Sequence, residues 1–196
     1  LMPMMENLLK DCELTINDID GFVVSKGPGS FTGLRIGMAT IKGLSFGANK
    51  PYISLSSLDG LAYSLSYFNG IICPIMDALR ENVYTALYKN EDGEFKNIME
   101  PTPMELPDLL EMLKEKNEEV IFTGDGLLKH KEYIKVNFPN AKFASNHVSL
   151  TRASSIGELG LNLLKQGIKY DPNSAPVYLK KPQAERELEK RMRMSE

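Results

Sequence analysis

The chain has 196 residues, 42% of them hydrophobic and 25% charged, with a formal net charge of -3. That content can bury a core in one domain or two small lobes, and the charge excludes a global attraction to nucleic acid, so any RNA contact needs a local basic patch or a basic partner. Cys12 and Cys73 form no CxxC pair, which argues against a disulfide framework; with no signal peptide or membrane-spanning run in view, a cytoplasmic protein is expected.

Residues 1–12 carry apolar side chains at 1, 2, 4, 5, 8, 9 and 12, a helical pattern that is apolar over a wide arc. It opens on leucine with no capping residue ahead of it, so the expectation is a chain truncated at its N-terminus. The first half offers only two strands, 21–25 and 51–55; a two-stranded sheet is hardly stable alone, which places further sheet partners upstream.

The stretch GFVVSKGPGSFTGLRIGMATIKGLSFGAN at 21–49 organises the rest. It predicts a buried strand at 22–25, a glycine-rich turn at 26–33 in which Gly27 and Gly29 supply unusual backbone angles around Pro28, and a long helix from Thr32 or Gly33 with Ser30 or Thr32 as N-cap. At ~100° per residue, Arg35, Lys42, Ser45 and Asn49 fall in one narrow sector and leave an apolar or small arc of roughly 240°, more than one sheet requires. Within it Ile36, Ala39, Thr40, Gly43 and Gly47 make a small-residue face, and Leu34, Met38, Ile41, Leu44 and Ala48 an aliphatic one. Each interior glycine costs about 1 kcal/mol relative to alanine. Two readings offset that cost: close packing within the chain, or a helix-to-helix contact with another subunit. A membrane span is the weakest reading, because Arg35 and Lys42 interrupt a run too short to cross a bilayer.

Beyond this, the run SLSSLD at 54–59 supplies an N-cap for a helix to about Tyr67, so the opening order is helix, strand, helix, strand, helix, an α/β grammar. From residue 71 the order changes to an antiparallel meander, with strands at 71–76, 83–88 and 94–98. There follow a helix at 104–116, a strand at 120–123, a Gly124 to Gly126 turn, a helix at 127–137, a short strand at 141–144 and an amphipathic helix at 151–166 closed by Gly167. A short extended piece at 177–179 precedes a mixed-charge tail that reads as a solvated helix. The domain expectation is a first lobe at 1–69, joined by 176–196, and a second at 70–175.

Catalytic motifs are scarce. Gly27, Gly29 and Gly33 give GxGxxxG, which matches neither the dinucleotide nor the P-loop pattern. His130 and His147 sit in no metal motif, and Ser25, Ser30 and Ser56 lack a nucleophile elbow. Asp77, Arg80 and Glu81 in the hairpin turn read better as solvated turn residues than as acids and bases, and Asp125 between two glycines suits a turn or an anion-repelling loop tip equally well. Tyr84 and Tyr88 share a strand face and read as packing.

The run SKGPGSFTGLRIGMATIKGLSFG at 25–47 resembles the signature of the TsaB family, also called YeaZ. LMPMMENLLK at 1–10, SLSSLDGLA at 54–62, PIMDALRENVYTALY at 74–88, VIFTGDG at 120–126 and PVYLKKP at 176–182 follow the family's order over nearly the whole chain. The resemblance implies an α/β, two-lobed ASKHA (actin-like or RNase H-like) fold, here with its first lobe cut short and the family's opening strands and phosphate loop absent. It also implies a non-catalytic scaffold that activates a TsaD-like enzyme in threonylcarbamoylation of adenosine 37 of tRNA. A TsaE-like ATPase would join that assembly, a homodimer would form when the chain is alone, and tRNA would be met indirectly through the complex. No cofactor would be held by this chain alone, with ATP or ADP entering through the complex. The family's interface helices match 1–12 and 34–49, which assigns the interface to Leu1, Met4, Met5, Leu8, Ile36, Ala39, Thr40, Gly43 and Gly47. The alternative is an enzyme of the actin-like superfamily, an ATPase or a metallopeptidase; the family's former glycoprotease label has no support in these residues.

Overall fold

A computed structural model describes residues 1–78, 82–168 and 173–179. The first lobe comprises α1 (Met2–Asp11), β1 (Phe22–Gly27), α2 (Phe31–Ala48) and β2 (Tyr52–Ser56). β1 and β2 pair in parallel from Phe22 against Tyr52 to Ser25 against Leu55. Because side chains alternate along a strand, Phe22, Val24 and Tyr52 face α2, where they pack with Met38 and Ile41, while Val23, Ile53 and Leu55 face the other way.

α3 (Ser57–Tyr63) follows β2 without a break, started by a capping box in which the Ser56 N–H donates to Asp59 Oδ2 at 2.6 Å and the Leu58 N–H to Ser56 Oγ at 3.2 Å. It ends at Tyr63, one turn earlier than the expected Tyr67. The second lobe then runs β3 (Ile71–Asp77), β4 (Asn82–Glu91), β5 (Glu94–Glu105), α4 (Leu106–Lys116), β6 (Val120–Thr123), α5 (Leu127–Asn137) and β7 (Lys142–Phe143). Its sheet has the order β5-β4-β3-β6-β7, with β3, β6 and β7 parallel and the β3-β4-β5 meander antiparallel.

Both faces of this sheet are covered, so its central strands read as continuous apolar runs. Ile71, Cys73, Ile75, Val120 and Phe122 pack under α4 and α5; Ile72, Ala86 and Tyr88 pack under Leu58, Leu61 and Leu65 of α3 and the turn after it. β5 extends to Glu105 rather than stopping at Ile98, and carries Pro101 and Pro103. Proline withholds a ladder N–H, which an edge strand tolerates because one side of it pairs with nothing.

The last described helix, α6 (Ala153–Lys165), corrects the expected lobe division. Assigned by sequence to the second lobe, it packs Ile156, Leu159, Leu163 and Leu164 on the Val23, Ile53 and Leu55 face of the first-lobe sheet. With the second sheet covered on both sides, that was the apolar face still open. The approach is close: a Cβ on Gly160 would run into the Val23 side chain, and one on Gly60 of α3 into Ile156. At the C-terminal side the Val177 N–H donates to Lys26 O at 2.7 Å and Arg35 Nε donates to Tyr178 Oη at 2.8 Å, so these described residues lie against β1 and α2 without forming a strand. The expected tail helix lies outside the described residues, as do Arg80 and Glu81. No described helix is long and apolar enough to cross a membrane.

Candidate functional site

α2 is held at both ends by local chemistry. Ser30 Oγ accepts from the Gly33 N–H at 3.3 Å, which selects Ser30 over Thr32 as N-cap, and Asn49 closes the helix in the left-handed region at φ 51°. Its buried side chains are Met38, Ile41 and Ser45. Ser45, read from sequence as part of the polar sector, points inward and donates from Oγ to Lys50 O at 2.5 Å.

The opposite side of α2 faces outward. Ile36 is 55% exposed, Ala39, Gly43 and Gly47 are exposed and Thr40 is half-buried. A Cβ built on Gly43 or Gly47 meets nothing within 4 Å, so these glycines do not serve close packing inside this chain. Phe46 borders the same face and is 91% exposed. Helical periodicity assigns it no role, although it lies three residues after Gly43 and seven after Ala39, spacings that keep it on the same side of a helix.

α1 repeats the pattern with no buried residue at all. Leu1, Met4 at 74% and Leu8 at 63% are exposed. Met5, expected at the interface with them, instead turns in and packs beside Ile16 and Ile19 on the core under α2. One turn of helix separates Met4 from Leu8, whereas Met5 is rotated about 100° from Met4.

The glycine-rich turn is already occupied by its own chain. Gly27 takes φ 110°, as expected, whereas Gly29 stays at negative φ. Gly27 O accepts from Ser56 Oγ at 3.0 Å, its N–H donates to Ser25 Oγ at 3.3 Å, and a Cβ there would sit 3.0 Å from Val177 O. Arg35 pins the covering segment: its guanidinium lies 4.1 Å over the Phe31 ring and its Nε donates to Tyr178 Oη at 2.8 Å. These contacts occupy the Gly27 end of the turn.

The polar groups of the second lobe are scattered. Asp77 Oδ1 lies 3.4 Å from Lys129 Nζ and 3.8 Å from the buried His130 Nε2. Asp125 is exposed at the tip of its turn, and His147 lies on the surface. Burial pushes the Cys73 thiol up to about 12. Among the described residues, no three of His, Cys, Asp and Glu stand close enough to hold a metal ion.

One polar pair the sequence did not connect joins the lobes. Tyr88 of β4, read as packing alone, also donates from Oη to Asp59 Oδ1 of α3 at 2.6 Å. Desolvation raises the Asp59 pKa above 3.8, opposed by the hydrogen bonds from Tyr88 and from the Ser56 N–H. A carboxyl with a raised folded-state pKa binds its proton more tightly folded than unfolded. Its contribution to stability is therefore full below pH 3.8 and declines as pH rises through the higher folded value. Tyr88→Phe removes a stabilising donor, so it should cost about 1.5–3 kcal/mol at neutral pH, with a smaller loss in acid where the carboxyl is neutral. Thermal melts of both proteins across that range check the sign; an equal loss at every pH would show that Asp59 does not change charge there.

The family model described as TsaD, tRNA N6-adenosine threonylcarbamoyltransferase, matches residues 1–188. The chain is 42% identical over 134 residues to the tRNA threonylcarbamoyladenosine biosynthesis protein TsaB of Bacillus subtilis, a match that covers 68% of this chain and 58% of the relative. It is 30% identical over 167 residues to the TsaB of Buchnera aphidicola, covering 80% and 74%. A solved structure from Pseudomonas aeruginosa, described as an uncharacterized protein similar to the peptidase YEAZ, superposes with a TM-score of 0.72 over 92% of this chain and 82% of its own at 23% identity. That likeness supports the two-lobed α/β architecture.

Proposed function

Since this chain belongs to the TsaB (YeaZ) family of tRNA threonylcarbamoyladenosine biosynthesis proteins, we propose that it acts in that pathway as a non-catalytic scaffold, docking a TsaD-like catalytic subunit. The observation that carries this reading is the outer face of α2, where exposed Ile36 and Ala39 lie beside Gly43 and Gly47, whose Cβ positions meet nothing within 4 Å, together with the exposed Leu1, Met4 and Leu8 of α1. Small residues let two helix backbones approach closely, and an exposed apolar face of this kind is what a partner helix covers. The same face pairs with a second copy when the chain is alone. ATP or ADP, and a TsaE-like ATPase, enter with the assembly rather than through the glycine turn, whose Gly27 N–H and carbonyl are engaged internally.

The test is turnover and titration on the same preparation. The purified chain should hydrolyse neither ATP nor peptides above background, while a purified TsaD-type protein should bind it at a one-to-one ratio and gain threonylcarbamoyl transfer on tRNA. Hydrolysis by the isolated chain that disappears in Asp77→Ala or Asp125→Ala would replace the scaffold by an enzyme of the actin-like superfamily.

A further inference from the structure

Three strands of the second sheet end along one edge. β3 stops at Asp77, β5 at Glu105 and β6 at Thr123; β6 is parallel to β3, and β4 runs antiparallel to both β3 and β5, so all three point the same way. α4 and α5 both begin at that edge, and a pocket of about 210 Å3 opens between them, lined by Leu106 and Pro107 of α4 and by Lys129, His130 and Tyr133 of α5. The crevice outside the carboxyl ends of the strands is where open α/β sheets hold their ligands. At less than the roughly 300–1,000 Å3 of drug-sized sites, this one suits a very small molecule.

His130 is the side chain out of place here. It is 6% exposed, yet its Nε2 is the one buried side-chain nitrogen or oxygen among the described residues with no hydrogen-bond partner. Buried polar atoms in folded proteins are almost always bonded, so an exception calls for a cause. Asp77 Oδ1 stands 3.8 Å from this nitrogen, beyond hydrogen-bond length, and 3.4 Å from Lys129 Nζ.

That arrangement selects the chemistry of a ligand. Lys129 and Asp77 offset each other's charge, which favours an uncharged head group. A divalent cation would find no third ligand among the described residues and would meet the Lys129 ammonium on the same carboxylate oxygen, while a phosphate or carboxylate would be repelled by Asp77. A hydroxyl fits. Its oxygen, set beside the 3.8 Å gap, reaches both atoms at about 2.8 Å, and because it accepts and donates it serves the imidazole and the carboxylate together. Leu106, Pro107 and the Tyr133 ring give an apolar body its walls.

We propose that this pocket binds a small uncharged hydroxyl compound with an aromatic or apolar body, a phenol in its simplest form, whose hydroxyl bridges His130 Nε2 and Asp77 Oδ1. The site shares no residue with the outer face of α2 and stands apart from the docking reading.

Titration of the untagged full chain with p-cresol, read by NMR of nitrogen-labelled histidine side chains, tests it. The chain has two histidines, and His147 on the surface serves as the internal control. The His130 signals should shift saturably while those of His147 stay in place. Toluene keeps the ring and lacks the hydroxyl, and on the parent chain it should bind about two- to tenfold more weakly, the value of one neutral hydrogen bond. His130→Phe, followed by saturation transfer to p-cresol, should show a loss of the same size. No saturable His130 shift at millimolar p-cresol, equal shifts at both histidines, or toluene bound as tightly as p-cresol overturns the proposal. So does undiminished p-cresol binding by His130→Phe. None of these results touches capture of a TsaD-type partner, which is measured separately on the same preparation.

Discussion

Gly124→Ala should lower stability by about 4 kcal/mol, the strain of a left-handed non-glycine residue (about 1–3) added to the cost of overpacking (about 1–3). Gly124 sits at φ 106°, and a Cβ there would collide with the Ile75 carbonyl oxygen of the neighbouring strand. That oxygen cannot retreat, because it accepts from the Gly126 N–H at 3.1 Å and Ile75 lies fully buried in the middle of β3. The two glycines thus let the turn after β6 fold over a backbone carbonyl, with exposed Asp125 as its tip. In a chain of this size ~1 kcal/mol moves the melting temperature by about 2–4 °C, so a drop of roughly 8–16 °C is expected. Asp125→Ala, which alters only an exposed side chain, should stay within about 0.5 kcal/mol of the parent. A Gly124→Ala melt as high as that of Asp125→Ala would show that the turn relaxes around the added methyl.

The parts of this fold that are legible in the sequence are those whose cause is local. The strand, turn and helix from Phe22 to Ala48 follow from a β-branched run, a glycine that accepts φ 110° and a serine cap three residues before its donor. Asn49 and Gly167 each close a helix at positive φ, as their chemistry allows. What the sequence misplaces depends on neighbours distant in the chain. The amphipathic stripe of α6 dictates that it buries one face but not which sheet receives it, a choice made by Gly60 and Gly160, whose missing side chains admit Ile156 and Val23. β5, expected to stop at Ile98, runs on to Glu105 through Pro101 and Pro103, which its edge position tolerates.

The site divides along the same line. Periodicity alone separates the outer face of α2 from its aliphatic face, but a helical wheel cannot say that Ser45 is drawn inward by the Lys50 carbonyl or that Met5 leaves the exposed stripe of α1 for the core. Likewise the capping box at Ser56 and Asp59 is readable, while the Tyr88 hydroxyl that completes it arrives from another lobe, 29 residues on.

Gly43→Leu should weaken the complex with a TsaD-type partner by roughly one to two orders of magnitude while leaving the isolated fold nearly unchanged. The binding loss follows from inserting a bulky side chain into a helix contact: overpacking costs about 1–3 kcal/mol, and ~1.4 kcal/mol is tenfold in affinity. The unchanged fold follows from the geometry, since nothing lies within 4 Å of a Cβ at Gly43, and leucine has the better helix propensity by about 0.5–1 kcal/mol. Affinity and intrinsic stability should therefore move in opposite directions, a pattern that a merely destabilised protein cannot produce. Titration of both proteins with the partner, alongside a melt of each alone, reads the two quantities separately, and size-exclusion of the chain by itself reports any loss of self-association. Unchanged affinity with a stable fold would remove the glycine stripe from the interface and shift the contact to Leu1, Met4 and Leu8 of α1, where Met4→Glu becomes the substitution that must release the partner.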